Sequence, residues 1–170
     1  ARIVLSKGIM EFIDSAKELK SLAKFVVCGQ LDLECKDAVT KKLFNHWINK
    51  GFIEYWGYSH SMEKVFAKTS IVVLPSYREG LPKVLCEAAA AGKPVITSDV
   101  PGCRESIIRD KTGLLVPMKN SKELTFAIKR LIDDKELATK MGWNGRKLAI
   151  EKFNIKDIVK THLDLYSEFI

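Results

Sequence analysis

Apolar residues recur along the chain in two alternating patterns, one typical of strands and one typical of helices. Short runs of apolar residues predict strands at Phe25–Cys28, Ile53–Trp56, Ile71–Leu74, Pro94–Thr97 and Gly113–Val116, of which the β-branched run Ile71–Leu74 is expected to be buried. Between and after them, apolar positions spaced three or four apart predict helices over residues 9–19, 39–48, 61–67, 82–91, 120–132, 135–151 and 155–169. This order favours an α/β fold with a Rossmann-like, doubly wound parallel sheet and helices on both faces. Residues 1–170 are predicted to form one domain.

The strand–helix–strand unit over residues 71–97 carries the most informative local pattern. Pro82 is expected at the first helical position, where its missing N–H costs nothing, and Gly92 is expected to end the helix. The alanines Ala88–Ala91 keep this helix thin, so it can lie close to the sheet. Its N-terminal end should therefore be open at the carboxyl edge of the strands, where open α/β sheets bind ligands.

Two kinds of chemical group are predicted to meet at this edge. The first are backbone N–H groups at the helix start, which with the helix dipole favour an anion such as a diphosphate. They belong to Gly80, Leu81, Lys83 and Val84. The second are the carboxylates of Glu79 and Glu87, which suit sugar hydroxyls because each charge-assisted hydrogen bond contributes about 1.5–3 kcal/mol. Solvated surface charges are the ordinary alternative, and the alanines after Glu87 argue against it.

The segment from Tyr77 to Val95 resembles the signature of the group 1 family of retaining, nucleotide-sugar-dependent glycosyltransferases, which have the GT-B fold. The matching residues are Glu79, Gly80, Leu81, Pro82, Glu87, Ala88, Gly92, Pro94 and Val95. The agreement continues through Ser98–Glu105, Thr112–Pro117 and Met141–Gly142 with Arg146, so it covers nearly the whole chain. The resemblance implies the C-terminal half of a GT-B fold, most similar to bacterial surface-polysaccharide transferases.

The resemblance also implies roles for individual residues. Glu79 would hold hydroxyls of the donor sugar, and Glu87 would hold those of the ribose. The segment 2–8 is similar to the family's Arg and Lys-Gly segment, whose basic side chains stabilise the donor diphosphate, so Arg2 and Lys7 are the candidates. No metal is expected, because these cations and the helix start already balance the diphosphate charge. The implied substrate is a nucleoside diphosphate sugar, with a UDP-sugar favoured, and no cofactor is expected.

A loop at the same predicted edge supplies aromatic side chains. Trp56, Tyr58 and His60 follow a strand and could lie against the nucleobase or a sugar. Burial of Trp56 in the core is the alternative, and both interpretations stay open.

Charge and motifs restrict the classes of partner. The net charge is +7, but the lysines and arginines are scattered without a recognition motif, so nucleic acid is not an expected partner. Neither the dinucleotide fingerprint G-x-G-x-x-G nor the P-loop pattern occurs, which disfavours dehydrogenases and NTPases. An anionic membrane surface suits the charge better, and peripheral contact with the cytoplasmic face of the inner membrane is left open.

The cysteines and the hydropathy pattern indicate a compartment. Four cysteines have neither metal-ligand spacing nor the density of a disulfide scaffold, which fits a reducing cytosol. No apolar run approaches the length of a membrane span, and the amino-terminal segment lacks a signal-peptide pattern. We therefore expect a cytoplasmic protein.

One departure from the family concerns what precedes the chain. Complete members have an N-terminal acceptor-binding domain, and we expect this domain to be missing ahead of Ala1. The resemblance therefore predicts a chain that binds donor weakly, transfers nothing alone, and lacks most of a central strand. A donor-binding subunit of a split glycosyltransferase is an alternative, and a basic interaction module is a weaker one.

Overall fold

Helices and strands alternate through the computed structural model, which describes residues 2–169. The strands are β1 Arg2–Ile3, β2 Val26–Val27, β3 Gln30–Leu31, β4 Glu54–Tyr55, β5 Val72–Leu74, β6 Val95–Ser98 and β7 Gly113–Val116. The helices are α1 Ile9–Leu19, α2 Lys41–Asn49, α3 Met62–Ala67, α4 Lys83–Ala90, α5 Pro101–Arg104, α6 Ser121–Asp133, α7 Lys135–Lys152 and α8 Ile155–Ser167. A single 3₁₀ turn, Leu5–Lys7, lies between β1 and α1 among these described residues.

All strand pairs between these elements are parallel, which confirms the predicted α/β class. Strand β6 lies between β5 and β7, β2 pairs with β4, and β1 pairs with β3. Within residues 2–169 these are three separate ladders, where the sequence pattern predicted one continuous sheet. A cleft of about 880 Å³ lies between β2 and β5.

Apolar side chains pack on both faces of the strands. Val95 and Ile96 are adjacent on β6 and almost fully buried, yet they belong to different core clusters. Successive strand residues point to opposite faces, so one cluster packs Ile96 against α1 and α6 and the other packs Val95 against α4. Helices therefore cover both faces, as the doubly wound pattern predicted.

Several local features differ from the sequence-based expectations. Pro82 has an extended ψ of 109° and is the N-cap of α4, so its predicted placement as the first helical residue is wrong by one position. Helix α5 and strand β3 were not predicted, because elements of four and two residues are too short to show a period. Helix α8 forms as predicted, and its described side chains are all exposed. No helix in the described part of the chain is long and apolar enough to span a membrane.

Candidate functional site

A partly buried ion pair joins the start of the chain to the loop before α4. Lys7 ends the 3₁₀ turn, and Glu79 lies between β5 and α4, at the carboxyl edge of the strands. The Nζ of Lys7 lies 2.5 Å from Oε1 of Glu79, and the two side chains are only 25% and 12% exposed. The structure thus brings together two residues that the sequence predicted as parts of one site.

Backbone hydrogen bonds hold the two segments of this ion pair together. The N–H of Tyr77 donates to the carbonyl of Ser6 at 2.8 Å, and the Ser76 hydroxyl donates to the same carbonyl at 3.2 Å. On its other side, the Ser6 N–H donates to the Asp37 carboxylate at 3.0 Å. Hydrogen bonds from Ser6 hold the pKa of Asp37 below its usual range. The position of Lys7 relative to Glu79 is therefore set by main-chain contacts.

Two glycines permit the close backbone packing around the ion pair. Gly8 has a φ of 72°, and an added Cβ would lie 2.0 Å from the carbonyl oxygen of Pro75. Gly102, at the start of α5, lies against the loop that carries Glu79, and a Cβ there would be 1.5 Å from the carbonyl oxygen of Gly80. Any larger residue at either position has to displace main chain, which cannot yield as a flexible side chain does.

A buried carboxylate behind the loop was missed by the sequence pattern. Glu11 of α1 is only 8% exposed and accepts hydrogen bonds at 2.7 and 2.9 Å from the hydroxyl of Tyr77. The Nζ of Lys119 lies 5.0 Å from the centre of the Tyr77 ring, on its face. Burial, with the adjacent Glu11 carboxylate, raises the pKa of Tyr77. This cluster fixes the side chain two positions before Glu79.

The start of α4 presents the backbone donors that the sequence predicted. The N–H groups of Gly80, Leu81, Lys83 and Val84 donate to no protein acceptor within residues 2–169. Glu87 lies one turn into the helix with a side chain that is 32% exposed, and its Oε1 is 3.4 Å from the Nζ of Lys83. At the other end of the helix, Arg146 donates to the carbonyl of Ala90 at 2.7 Å and satisfies one of its terminal acceptors.

Three other predicted residues lie apart from the ion pair. Arg2 has a 63% exposed side chain and donates to Asp32 at 2.9 Å, which lowers the pKa of Asp32. Trp56 is 38% exposed and lines the cleft between β2 and β5, and its indole N–H donates weakly to Glu54 at 3.4 Å. Tyr58 is 63% exposed and its ring meets His60 edge-on. No hydrogen bond or ion pair in the described residues joins these side chains to Lys7 or Glu79.

A second charged group lies beyond β6, where Ser98–Glu105 matched the family but no role was predicted for its side chains. Asp99 accepts from Arg104 and, at 2.5 Å, from Arg109. The hydrogen bond from Arg104 is the main cause of the lowered pKa of Asp99. The preceding Ser98 hydroxyl is buried and has no hydrogen-bond partner within residues 2–169. Apart from the family match over Ser98–Glu105, the sequence signal was the position of these residues after a buried strand.

Cysteine chemistry and metal ligation have little support in the described residues. No group of three or more potential metal ligands occurs between residues 2 and 169. Burial raises the pKa of the Cys86 and Cys103 thiols, which disfavours the thiolate that nucleophilic attack or metal binding requires.

Comparison with known proteins places this arrangement in a family. Residues 1–148 match the sequence profile described as glycosyl transferases group 1. The chain belongs to the group 1 glycosyl transferases. An N,N'-diacetylbacillosaminyl-diphospho-undecaprenol alpha-1,3-N-acetylgalactosaminyltransferase from Campylobacter jejuni is 34% identical over 170 residues. That alignment covers all of this chain and 44% of the relative, so the chain spans less than half of that enzyme's length.

Solved structures agree on the fold of this group 1 chain. Anabaena HepE in complex with UDP-glucose superposes with a TM-score of 0.90 at 21% identity, covering 99% of this chain and 47% of HepE. The C-terminal domain of a group 1 glycosyl transferase, LpcC from Francisella tularensis, superposes with a TM-score of 0.76 at 27% identity. There the match covers 91% of this chain and 83% of the other. The predicted family and α/β fold are both confirmed.

Proposed function

We propose that this chain binds the nucleoside diphosphate sugar donor of a retaining glycosyltransferase, with a UDP-sugar favoured. The partly buried Lys7–Glu79 pair is the observation that carries the proposal. It places a cation and a carboxylate directly before a helix start with unpaired N–H groups. This combination suits a phosphorylated, hydroxyl-rich ligand, because its phosphates bind to cations and N–H groups and its hydroxyls donate to carboxylates.

In this proposal, Lys7 binds the diphosphate and keeps its hydrogen bond to Glu79. An ammonium group has three N–H donors, and one of them is directed at Oε1 of Glu79. The remaining donors are available to phosphate oxygens. At 4 Å and an effective dielectric constant of about 20, the attraction between two unit charges is about 4 kcal/mol. The low exposure of both side chains limits the screening of this attraction by water.

The start of helix α4 and the carboxylates beside it bind the phosphate oxygens and the hydroxyls of the donor. Its free N–H groups, from Gly80 to Val84, bind phosphate oxygens, and the helix dipole favours the same anion. Glu87 accepts from the ribose hydroxyls and Glu79 from the sugar hydroxyls. Lys83 is 89% exposed and its bond to Glu87 is a weak surface pair, so it is free to turn toward the phosphates.

Arg2, Trp56 and Tyr58 complete the donor site in this proposal. The Arg2–Asp32 pair is exposed, and solvent screens such pairs, so the guanidinium can exchange Asp32 for a diphosphate at little cost. The exposed rings of Trp56 and Tyr58 provide faces on which a nucleobase can stack.

The reaction we propose transfers the sugar with retention at the anomeric carbon. Lys7, Arg2 and the N–H groups at the start of α4 stabilise the negative charge that develops on the departing diphosphate. Glu79 and Glu87 are recognition groups in this mechanism and neither acts as a nucleophile. The donor phosphate itself assists the acceptor hydroxyl, which a separate acceptor-binding domain positions. The UDP-glucose bound to HepE supports a nucleotide-sugar donor, and the diphospho-undecaprenol substrate of the Campylobacter relative supports a lipid-linked acceptor.

Calorimetric titration with uridine, guanosine and adenosine diphosphate sugars tests the proposal. We expect one nucleotide class to bind, Glu87→Ala to abolish that binding, and Lys7→Ala to weaken it at least tenfold, which corresponds to about 1.4 kcal/mol. Lys147→Ala is the matched control, because it removes an exposed lysine from α7, which packs against the far end of α4 from its start, and should leave affinity unchanged. A folded protein that binds none of these sugars would refute the proposal.

Two further assays, titration with nucleic acid at several salt concentrations and a test for glycosyl transfer, separate the alternatives. Binding to nucleic acid that falls steeply with salt and survives Glu87→Ala would favour a basic interaction module instead. Glycosyl transfer by the isolated chain would contradict the expectation that donor binding alone is its contribution.

A further inference from the structure

The 3₁₀ turn Leu5–Lys7 receives the hydrogen-bond acceptors for its start from a residue far along the chain. The residue at its N-cap position makes no side-chain cap. Instead, the N–H of Leu5 donates to the carbonyl of Asp37 at 2.8 Å, and the N–H of Ser6 donates to the carboxylate of Asp37 at 3.0 Å. The first N–H groups of a helical turn have no acceptor within the turn. Asp37 therefore caps the turn that carries Lys7.

The loop that contains Asp37, residues 32–38, is joined to the segment ahead of the turn at both of its ends. At one end β1 pairs with β3, and at the other end Val4 forms an antiparallel bridge with Ala38. On the opposite side of the turn, the carbonyl of Ser6 accepts from the N–H of Tyr77. The turn is therefore held between two segments, with Asp37 on one side and the loop that carries Glu79 on the other.

Contacts from outside the turn decide where Lys7 lies. A 3₁₀ turn of three residues is short and its own hydrogen bonds have poor geometry, so it does not fix its position alone. The lowered pKa of Asp37 keeps this side chain ionised at neutral pH, and a carboxylate is the stronger acceptor for the Ser6 N–H. Lys7 is the last residue of the turn, so a displaced turn also displaces its ammonium group from Glu79.

We propose that Asp37 is a positioning residue for donor binding, whose carboxylate holds the turn so that Lys7 contacts Glu79 and the donor diphosphate together. The inference rests on the proposed function for the identity of the ligand, and on the hydrogen bonds of Ser6 for the rest. Its sign separates it from a simple effect of charge. A carboxylate near a phosphate site repels the anion, so loss of its charge alone strengthens binding. Loss of a positioning contact weakens it.

Calorimetric titration with UDP-glucose tests this sign. We expect Asp37→Ala to weaken binding about fivefold or more, and Asp37→Asn to keep most of the affinity, because its amide oxygen still accepts from Ser6. Asp37→Ala should have no further effect in a Lys7→Ala background, because it acts through Lys7. Asp32→Ala is the matched control. It removes the same charge from the same loop, but its partner Arg2 is exposed, so binding should be no weaker than in the wild type.

Three results of these titrations would overturn the proposal. The first is unchanged or tighter binding by Asp37→Ala. The second is an equal loss of affinity in Asp37→Ala and Asp37→Asn. The third is an undiminished effect of Asp37→Ala when Lys7 is already alanine.

Amide hydrogen exchange without nucleotide tests the hold on the turn by itself. We expect Asp37→Ala to speed exchange of the Ser6 and Tyr77 amides about tenfold, while the amide of Ile96 in β6 keeps its wild-type rate. An unchanged rate at Tyr77 would overturn the proposal. An equal acceleration at Ile96 would also overturn it, because that result reports a general loss of stability. A wild type that binds no UDP-glucose but shows the expected exchange would refute donor binding and leave the hold of Asp37 on the turn established.

Discussion

Two halves of this molecule, one around β5, β6 and β7 and one around β2 and β4, differ in how extensively their strands are paired. In one half, β6 has four residues and pairs along both edges, and the loop before α4 packs main chain to main chain on α5 through Gly102. In the other half, β2 and β4 pair over two residues and β2 opens onto the cleft. The Lys7–Glu79 pair rests on the first half, whereas Trp56 and Tyr58 follow the second. The Lys7–Glu79 pair therefore stands on extensively paired strands, the firm half, whereas the two aromatic side chains follow sparsely paired ones.

The largest effect is expected where backbone meets backbone in the firm half. Gly8→Ala places a methyl group 2.0 Å from the Pro75 carbonyl oxygen at a φ of 72°. Left-handed backbone costs roughly 1–2 kcal/mol and overpacking about 1–3 kcal/mol, so the free energy of unfolding should fall by about 3 kcal/mol. Urea unfolding followed by circular dichroism measures it.

Gly51→Ala is the matched control for this loss. Gly51 has a φ of 65°, but an added Cβ meets nothing within 4 Å. Only the conformational cost of about 1 kcal/mol should appear. Equal losses for Gly8→Ala and Gly51→Ala would show that close packing against Pro75 contributes nothing.

A second pair of substitutions compares the two halves through valine. Val95 on β6 is 1% exposed, so Val95→Ala should lower the free energy of unfolding by about 2 kcal/mol. Val26 on β2 is only partly buried at the cleft, so Val26→Ala should cost less than about 1 kcal/mol. Denaturant unfolding of both variants measures these losses in the free energy of unfolding. A larger loss for Val26→Ala than for Val95→Ala would reverse the comparison.

Tyr77→Phe should have an intermediate effect, of about 1–2 kcal/mol. It removes the hydroxyl that donates to the buried Glu11 carboxylate and leaves that acceptor without this partner. The raised pKa of Tyr77 also predicts a pH dependence. Its neutral form stabilises the fold fully below pH about 10, and this contribution is lost as pH rises through the raised pKa.

Unfolding experiments between pH 7 and 12 reveal this dependence. Wild-type stability should decline more steeply above pH about 10 than that of Tyr77→Phe, because only the wild type has this phenol. Parallel pH profiles would mean that the Tyr77–Glu11 bond has no energetic weight.

The smallest effect is expected at the charged group beyond β6. Asp99 bonds to Arg104 and Arg109, but both arginines are more than half exposed, so Asp99→Asn should change stability by about 0.5 kcal/mol or less. The lowered pKa of Asp99 means that this contribution is present at neutral pH and lost as pH falls through it. A loss above about 1.5 kcal/mol in a thermal melt at pH 7 would show that the group supports the firm half.

Most helices and strands could be predicted because their apolar residues recur at a regular spacing over several positions. The apolar spacing of α1 and the β-branched run of β5 were read correctly, and Gly92 ends α4 with a φ of 67° as expected. The separation into three ladders does not follow from strand periodicity, because periodicity reports burial and says nothing of which edges are paired. The family resemblance, which predicted that most of a central strand is missing, allowed for a gap in the sheet.

The sequence predicted the residues of the site better than it predicted the contacts between them. Lys7 and Glu79 were both expected, but their bond depends on the Ser6–Tyr77 backbone contact across 71 positions, which no local pattern encodes. Glu11 was missed because a glutamate on an otherwise apolar helix face reads as solvated. Its partner Tyr77 was quoted only as the start of the signature.

Backbone amide NMR during titration with UDP-glucose tests donor binding at the start of α4. We expect the amides of Gly80, Leu81, Lys83 and Val84 to shift most and Gly8, beside Lys7, to follow them. All five should become insensitive to UDP-glucose in the double variant Glu79→Gln, Lys7→Ala. Shifts concentrated at Val26 and Val73 in the cleft, with the start of α4 unchanged, would contradict it.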